Sequence, residues 1–272
     1  MPLIAFASPK GGVGKTTVTA HMAALFARRG RRVIAIDLDP QNALRLHLGV
    51  PMREEGGFVT SLREGRPWRE CLLPTRFGVE MLPFGAADPL RVMELSHELL
   101  TQPARIADPV REMLAEPDTI VVVDSPPGPS GPLAALTPLV DLMVLVLLAD
   151  GGSAAIIPHV AGNRFLGRGT LASRMADRAV VVLNQLDEAE PLSDAVWNMA
   201  QQALGKRLVG AVCRDQAIAE ALADKRLLLE EDAGAAEDLQ VLADTLLRLL
   251  PEPRQDKPRG GRNFSALNDW GG

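Results

Sequence analysis

Short apolar runs alternate along the chain with longer segments in which apolar residues recur at helical spacing. The runs are almost free of polar residues, which is typical of strands buried on both faces of a sheet. They occupy residues 3–7, 33–36, 119–123, 142–148, 179–183 and 209–212. The pattern predicts an α/β fold with a doubly wound, mostly parallel sheet and helices on both faces.

Two helices stand out in this pattern. The first, over residues 18–29, is rich in alanine, which allows close packing on a sheet, and Gly30 is expected to end it. The two strands that flank it start about 30 residues apart, the usual spacing of a right-handed parallel βαβ unit. The second helix, over residues 235–250, is amphipathic. Its polar face begins with Glu237 and Asp238, which favours packing on the core over binding to a membrane.

The length of 272 residues is sufficient for one large core. We expect a single domain over residues 1–250 and a disordered tail over residues 251–272, because the tail is rich in glycine, proline and charge. The end of the tail, residues 264–270, is either a short docking motif or more disordered chain.

Charge and hydropathy narrow the classes of partner. The net charge is −5, and the basic cluster at Arg254, Lys257, Arg259 and Arg262 lies in the tail, so strong nucleic-acid binding is not expected. The longest apolar run, residues 140–149, is too short to span a bilayer, and no signal peptide is recognisable. Two cysteines without metal-ligand spacing indicate reduced thiols, and a cytoplasmic location is predicted.

The first strand runs directly into a glycine-rich turn and a helix. Glycines in such a turn permit positive φ and let backbone N–H groups converge on phosphate oxygens, to which the helix N-terminus adds its positive end. Lys15 is predicted to reach the β- and γ-phosphates, Thr16 to offer a hydroxyl to Mg²⁺, and Thr17 to contact the α-phosphate. The predicted phosphate cradle is Lys10, Gly11, Gly12, Val13, Gly14, Lys15, Thr16 and Thr17.

Acidic residues follow two of the predicted strands. Asp37 and Asp39 come at the end of the second run, and Asp124 comes directly after the run at 119–123. Ligands of parallel sheets bind beyond the carboxyl ends of the strands, so these acids are expected to face the phosphate site and a Mg²⁺ ion. The alternative for Asp37 and Asp39 is that they cap a helix that starts near Ala43.

The order of these motifs resembles the ParA/MinD family of P-loop ATPases. Pro9 replaces the first glycine of the general P-loop pattern and Lys10 adds a second lysine, which is similar to the deviant Walker A motif of that family. The resemblance implies ATP or ADP binding with Mg²⁺, slow ATP hydrolysis, and an ATP-dependent homodimer in which Lys10 reaches the partner's nucleotide. It implies catalytic roles for Lys10, Lys15 and Asp39, and a metal site formed by Thr16, Asp37, Asp39 and Asp124.

The same resemblance implies where the adenine binds. Asn184 follows the strand at 179–183, in the position where the family places a polar residue against the base. Arg214 and Asp215 belong to the loop that closes over the base in the family, although Cys213 here stands where a proline is common. For Asn184, an ordinary turn at a strand end is the alternative.

Segments outside the ATP motifs resemble a more particular group. Residues 57–62, 65–70, 81–85 and 214–225 are similar to the BcsQ subfamily, which is associated with bacterial cellulose synthesis and secretion. The resemblance implies an assembly or localisation factor that binds cellulose synthase or accessory secretion subunits and reaches the inner membrane only through them. Some relatives lack the P-loop lysine and the aspartate, but Lys15 and Asp39 are present here. The alternatives are a ParA-type partitioning ATPase with ATP-dependent DNA binding and a nucleotide-dependent scaffold with negligible turnover.

Overall fold

The computed structural model describes residues 1–51, 56–164, 175, 177–229 and 234–251. The strands it contains are β1 (Leu3–Ala7), β2 (Arg32–Asp37), β3 (Leu73–Pro74), β4 (Val79–Leu82), β5 (Thr119–Asp124), β6 (Leu142–Leu148), β7 (Ala179–Leu186) and β8 (Leu208–Cys213). They form one sheet in the order β3-β4-β2-β5-β1-β6-β7-β8. Every pair of neighbours is parallel except β3 and β4, which confirms the predicted sheet.

The helices lie on both faces of the sheet. They are α1 (Lys15–Arg28), α2 (Ala43–His47), α3 (Phe58–Ser61), α4 (Pro89–Thr101), α5 (Ala104–Ala115), α6 (Gly131–Leu136), α7 (Gly151–Ala154), α8 (Ile157–Ala161), α9 (Pro191–Leu204), α10 (Gln216–Ala223) and α11 (Ala235–Leu249). One apolar core joins the sheet to α1, α2 and α11, and a second joins the other face to α4, α5, α6, α8 and α9. The fold is therefore doubly wound, as predicted.

The C-terminal amphipathic helix packs on the core, as its polar face indicated. Leu239, Leu242 and Leu246 of α11 are buried in the same core as α1. Among the described residues, no helix is both long and apolar enough to cross a membrane. The predicted disordered tail, including Arg254, Lys257, Arg259 and Arg262, lies outside the described residues beyond Pro251.

Candidate active site

The loops after β1, β2 and β5 meet at the carboxyl edge of the sheet, because these three strands are neighbours there. They enclose a cleft of about 420 Å³. Its lining residues are Ser8, Lys10, Gly11, Gly12, Val13, Gly14, Lys15, Thr16, Thr17, Asp39, Gln41, Ala43, Pro127 and Gln185. All eight residues of the predicted cradle therefore lie in one cleft.

The glycine-rich turn has two positions with a left-handed backbone, which glycine adopts without strain. Gly12 and Gly14 take φ values of 77° and 79°, whereas Gly11 is not among the residues with positive φ. Gly14 directly precedes α1, so the N-terminus of that helix opens into the cleft. A Cβ at Gly14 would also lie 2.2 Å from Nδ2 of Asn184, so this position has no room for a side chain.

Lys15 and Asp124 form a buried ion pair at the base of the cleft. Lys15 Nζ lies 2.6 Å from Asp124 Oδ1, and the side chains are 6% and 0% exposed. The hydroxyls of Thr16 and Thr19 donate to the same carboxylate over 2.7 and 3.0 Å. Asp124 is thereby held in a fixed orientation beside Thr16, and an entering polyphosphate would compete with it for Lys15.

Asp37 lies next to Asp124 across the sheet, paired with it in the register of β2 and β5. Its carboxylate accepts hydrogen bonds from the backbone amides of Asp39 over 2.9 Å and of Leu44 over 3.2 Å. Burial, reinforced by the charge of Asp124, raises the pKa of Asp37 well above its usual value. A cation in this region would offset the repulsion between the two acids, although Asp37 also shapes the loop that carries Asp39 and the start of α2.

Asp39 lines the cleft and is 9% exposed. Its Oδ1 accepts from the backbone amide of Gln41 over 3.0 Å. Asn42 anchors this loop to the chain after β4, because its side chain exchanges two hydrogen bonds with the backbone of Gly85. These hydrogen bonds hold Asp39 in a fixed position in the lining of the cleft.

The oxygen donors in the cleft suit Mg²⁺ when phosphate is also present. No group of three or more acidic, histidine or cysteine side chains among the described residues is arranged to hold a metal alone. Mg²⁺, however, is commonly bound by one or two carboxylates together with substrate phosphates and water. The Thr16 hydroxyl and the Asp39 and Asp124 carboxylates are donors of that kind.

Lys10 contacts a loop that the sequence did not indicate as functional. Its Nζ lies 3.7 Å from Asp150 Oδ1, and a Cβ at Gly152 would lie 2.0 Å from the same Nζ. Asp150 caps α7 by accepting from the amide of Ser153 over 2.7 Å. Burial tends to raise the pKa of Asp150, but the bonds from Ser153 and the charge of Lys10 outweigh it and lower that pKa.

The residues predicted to contact adenine do not line the cleft. Asn184 is buried beneath the glycine-rich turn, where its Nδ2 donates to the carbonyl of Val13 over 2.9 Å. Asp215 accepts from the amides of Ala217 and Ala235 and so joins the starts of α10 and α11. Arg214 is exposed. Gln185, next to Asn184 and missed by the sequence analysis, does line the cleft and has a φ of 57°.

This fold and this cleft define the class as P-loop ATPases of the MinD/ParA type. The MinD protein of Pyrococcus horikoshii complexed with Mg-ADP superposes with a TM-score of 0.70 at 21% identity, covering 91% of this chain and 96% of that one. An ATP complex of an McdA variant from Cyanothece superposes with a TM-score of 0.73 at 16% identity, covering 92% of this chain and 96% of that one. At such identities the likeness establishes the fold.

Residues 1–247 match the family described as cellulose biosynthesis protein BcsQ, and the chain belongs to that family. The cellulose biosynthesis protein BcsQ of Salmonella typhimurium is 27% identical over 252 residues, which is 91% of this chain and 94% of the relative. The chromosome-partitioning ATPase Soj of Thermus thermophilus is 39% identical, but over 125 residues and 46% of each chain. The family resemblance expected from the sequence is confirmed.

Proposed function

We propose that this chain binds ATP with Mg²⁺, hydrolyses it slowly, and dimerises in the ATP-bound state to act as an assembly or localisation factor for bacterial cellulose synthesis and secretion. The observation that carries the proposal is the convergence of the glycine-rich turn, the buried Lys15–Asp124 pair and Asp39 on one cleft in a member of the BcsQ family. Phosphoryl transfer depends on such positioned charge more than on a strong base.

Each residue has a defined part in this chemistry. The backbone amides of the turn and the N-terminus of α1 hold the phosphates, and Lys15 moves from Asp124 to the β- and γ-phosphates. Thr16, Asp39 and Asp124 would hold a Mg²⁺ ion, with Asp37 helping to organise the shell around it, and the ion would neutralise charge on the transferred phosphate. Asp39, in the lining of the cleft, orients the attacking water. In the dimer, Lys10 leaves Asp150 and contacts the partner's nucleotide.

The partner assignment follows from the family rather than from the cleft. The family model and the Salmonella relative are both described by cellulose biosynthesis, so we assign the chain to the cytoplasm and its recruitment to the inner membrane to synthase or accessory secretion subunits. The similarity to Soj favours ATP-dependent DNA binding as the second candidate. The net charge of −5 argues against it, because DNA binding needs several clustered cations.

A pull-down from cellulose-producing cells separates these candidates. Tagged Asp39→Ala protein, which is expected to keep ATP without hydrolysing it, should recover synthase or accessory subunits, and Lys15→Ala protein should recover far less. The same two variants are tested for a mobility shift of duplex DNA with ATP at physiological salt. Recovery of no cellulose component together with a tight, ATP-dependent shift by the Asp39→Ala protein would move the assignment to the partitioning class.

A further inference from the structure

Two buried histidines hold Thr17 at the first turn of α1. The hydroxyl of Thr17 lies 3.0 Å from Nε2 of His47, which belongs to α2. The carbonyl of Thr17 lies 2.7 Å from Nδ1 of His21, one turn further along α1. The side chains of His47 and His21 are only 7% and 2% exposed, whereas Thr17 itself lines the cleft.

The partners of each ring determine where its proton lies. Nδ1 of His47 faces the carbonyl of Ala43 over 3.0 Å, and a carbonyl only accepts, so Nδ1 carries the hydrogen. In neutral His47, Nε2 is then an acceptor, and the hydroxyl of Thr17 must donate to it. The single hydroxyl proton of Thr17 therefore points to His47 in this arrangement, away from any phosphate.

His21 is hydrogen-bonded through both ring nitrogens, so its neutral tautomer is fixed. Its Nδ1 donates to the carbonyl of Thr17, and its Nε2 accepts from the backbone amide of Leu228 over 3.1 Å. A second proton on the ring would break the bond to Leu228. Burial, the main cause, lowers the pKa of His21 to about 4, so this ring stays neutral across the physiological range.

We propose that His47 is a positioning residue of the nucleotide site that takes up one proton when phosphate binds at Thr17. The hydroxyl of Thr17 turns to donate to a phosphate oxygen, and protonated Nε2 of His47 then donates to the Thr17 oxygen. The proton comes from solvent, and Nδ1 keeps its bond to Ala43. Thr17 thereby presents its hydrogen to the ligand without leaving a buried ring nitrogen unpaired.

The charges around His47 give the direction of the effect. In the free protein, burial lowers the pKa of His47; the Lys15 charge from α1 lowers it further, while Asp124 on β5 raises it. His21 on α1 also faces His47, and Asp37 on β2 is bonded to Leu44 of the same short helix. A phosphate bound at Thr17 adds negative charge beside the ring, and Mg-ADP as a whole is still an anion, so binding favours the protonated ring. Binding is then tightest below the pKa of His47 in the free protein and weakens as pH rises from that value through the pKa of the bound state.

The inference rests on the proposed nucleotide binding. It is tested by calorimetry of Mg-ADP binding at pH values from about 6 to about 8, because this range brackets the ordinary pKa of histidine. Each titration is run in two buffers with different ionisation enthalpies, which gives the number of protons taken up. The variants are His47→Gln, which removes the titrating group, and Thr17→Val, which removes the hydroxyl between ring and phosphate. His97→Gln, on an exposed residue of α4, is the matched control.

We expect the parent and His97→Gln proteins to take up more protons than both variants, by up to one proton at the pH of the largest difference. Around that pH, the affinity of the parent for Mg-ADP should fall more steeply with rising pH than the affinity of His47→Gln, by up to about tenfold per pH unit. If either variant still binds ADP and takes up as many protons as the parent, the inference about His47 is wrong, but the proposed nucleotide binding still stands. Failure of the parent to bind ADP would overturn the proposed function, and the inference with it.

Discussion

At the scale of single residues, the cleft is built from groups whose partners are already fixed inside the protein. The buried Lys15–Asp124 pair is held at 2.6 Å, and removing one member of such a pair usually costs about 3–5 kcal/mol because the other is left uncompensated. Asn184 also has a fixed partner, because its side-chain amide donates a hydrogen bond to the carbonyl of Val13. These contacts preform the phosphate cradle before any ligand enters.

The two glycines with a left-handed backbone, Gly12 and Gly14, provide a matched test of that support. Alanine at Gly12 should lower the free energy of unfolding by about 1–2 kcal/mol, the cost of placing alanine in a left-handed backbone conformation. No further cost is expected, because nothing lies within 4 Å of the added Cβ. Alanine at Gly14 has the same strain and must also displace Asn184 from Val13. We expect Gly14→Ala to lower the free energy of unfolding by a further ~1 kcal/mol or more, the cost of an unsatisfied buried group. Urea denaturation without nucleotide measures both, and equal losses would show that the Asn184 contact does not support the turn.

At the scale of elements, uninterrupted apolar runs were the reliable signal. β1 and β6 have the bounds predicted, whereas β4 was missed because Glu80 interrupts its four residues. Glu80 is accommodated by Arg32 of the neighbouring β2, at 2.8 Å, which is a tertiary contact that no local pattern contains. α1 starts at Lys15, so the alanine-rich segment predicted over residues 18–29 continues a helix that begins directly after the glycine turn.

The candidate site, like the strands and helices, was predicted only in part from the sequence. Glycine, lysine and threonine spacing located the cradle, and strand ends located Asp37, Asp39 and Asp124. The contacts of Lys10 with Asp150 and of Thr17 with His47 join residues 140 and 30 positions apart in sequence, so only the fold brings them together. Asn184 and Gln185 are neighbours near the end of β7, and only the packing of the fold decides which of the two lines the cleft.

The contact between Lys10 and the loop from β6 to α7 leads to a prediction about dimerisation. Lys10 lies beside Asp150 in the monomer and, in the proposed dimer, beside the partner's phosphates. Light scattering of the Asp39→Ala protein should show a monomer without ATP and a doubled mass with ATP, because ATP persists when hydrolysis is blocked. The double variant Lys10→Ala, Asp39→Ala should stay monomeric at the same concentration. An unchanged mass of the Asp39→Ala protein with saturating ATP would contradict ATP-dependent dimerisation.

At the scale of the whole molecule, one edge of the sheet collects every group that the proposed chemistry needs. The strands that contribute are β1, β2 and β5, which are neighbours in the sheet although residues 38–118 separate the last two along the chain. The parallel arrangement turns three distant loops toward one cleft, and the two cores on either face hold them in place. The central claim is therefore that this cleft binds and hydrolyses ATP.

The most direct measurement is calorimetry of Mg-ATP binding together with phosphate release. The parent should bind ATP and release phosphate slowly, Asp39→Ala should bind with similar affinity and release none, and Lys15→Ala should lose at least about a hundredfold in affinity, roughly 2.7 kcal/mol. Lys206→Ala, at an exposed lysine far from the turn in sequence, is the control and should match the parent. If Lys15→Ala remains folded and binds ATP as tightly as the parent, the central claim is wrong.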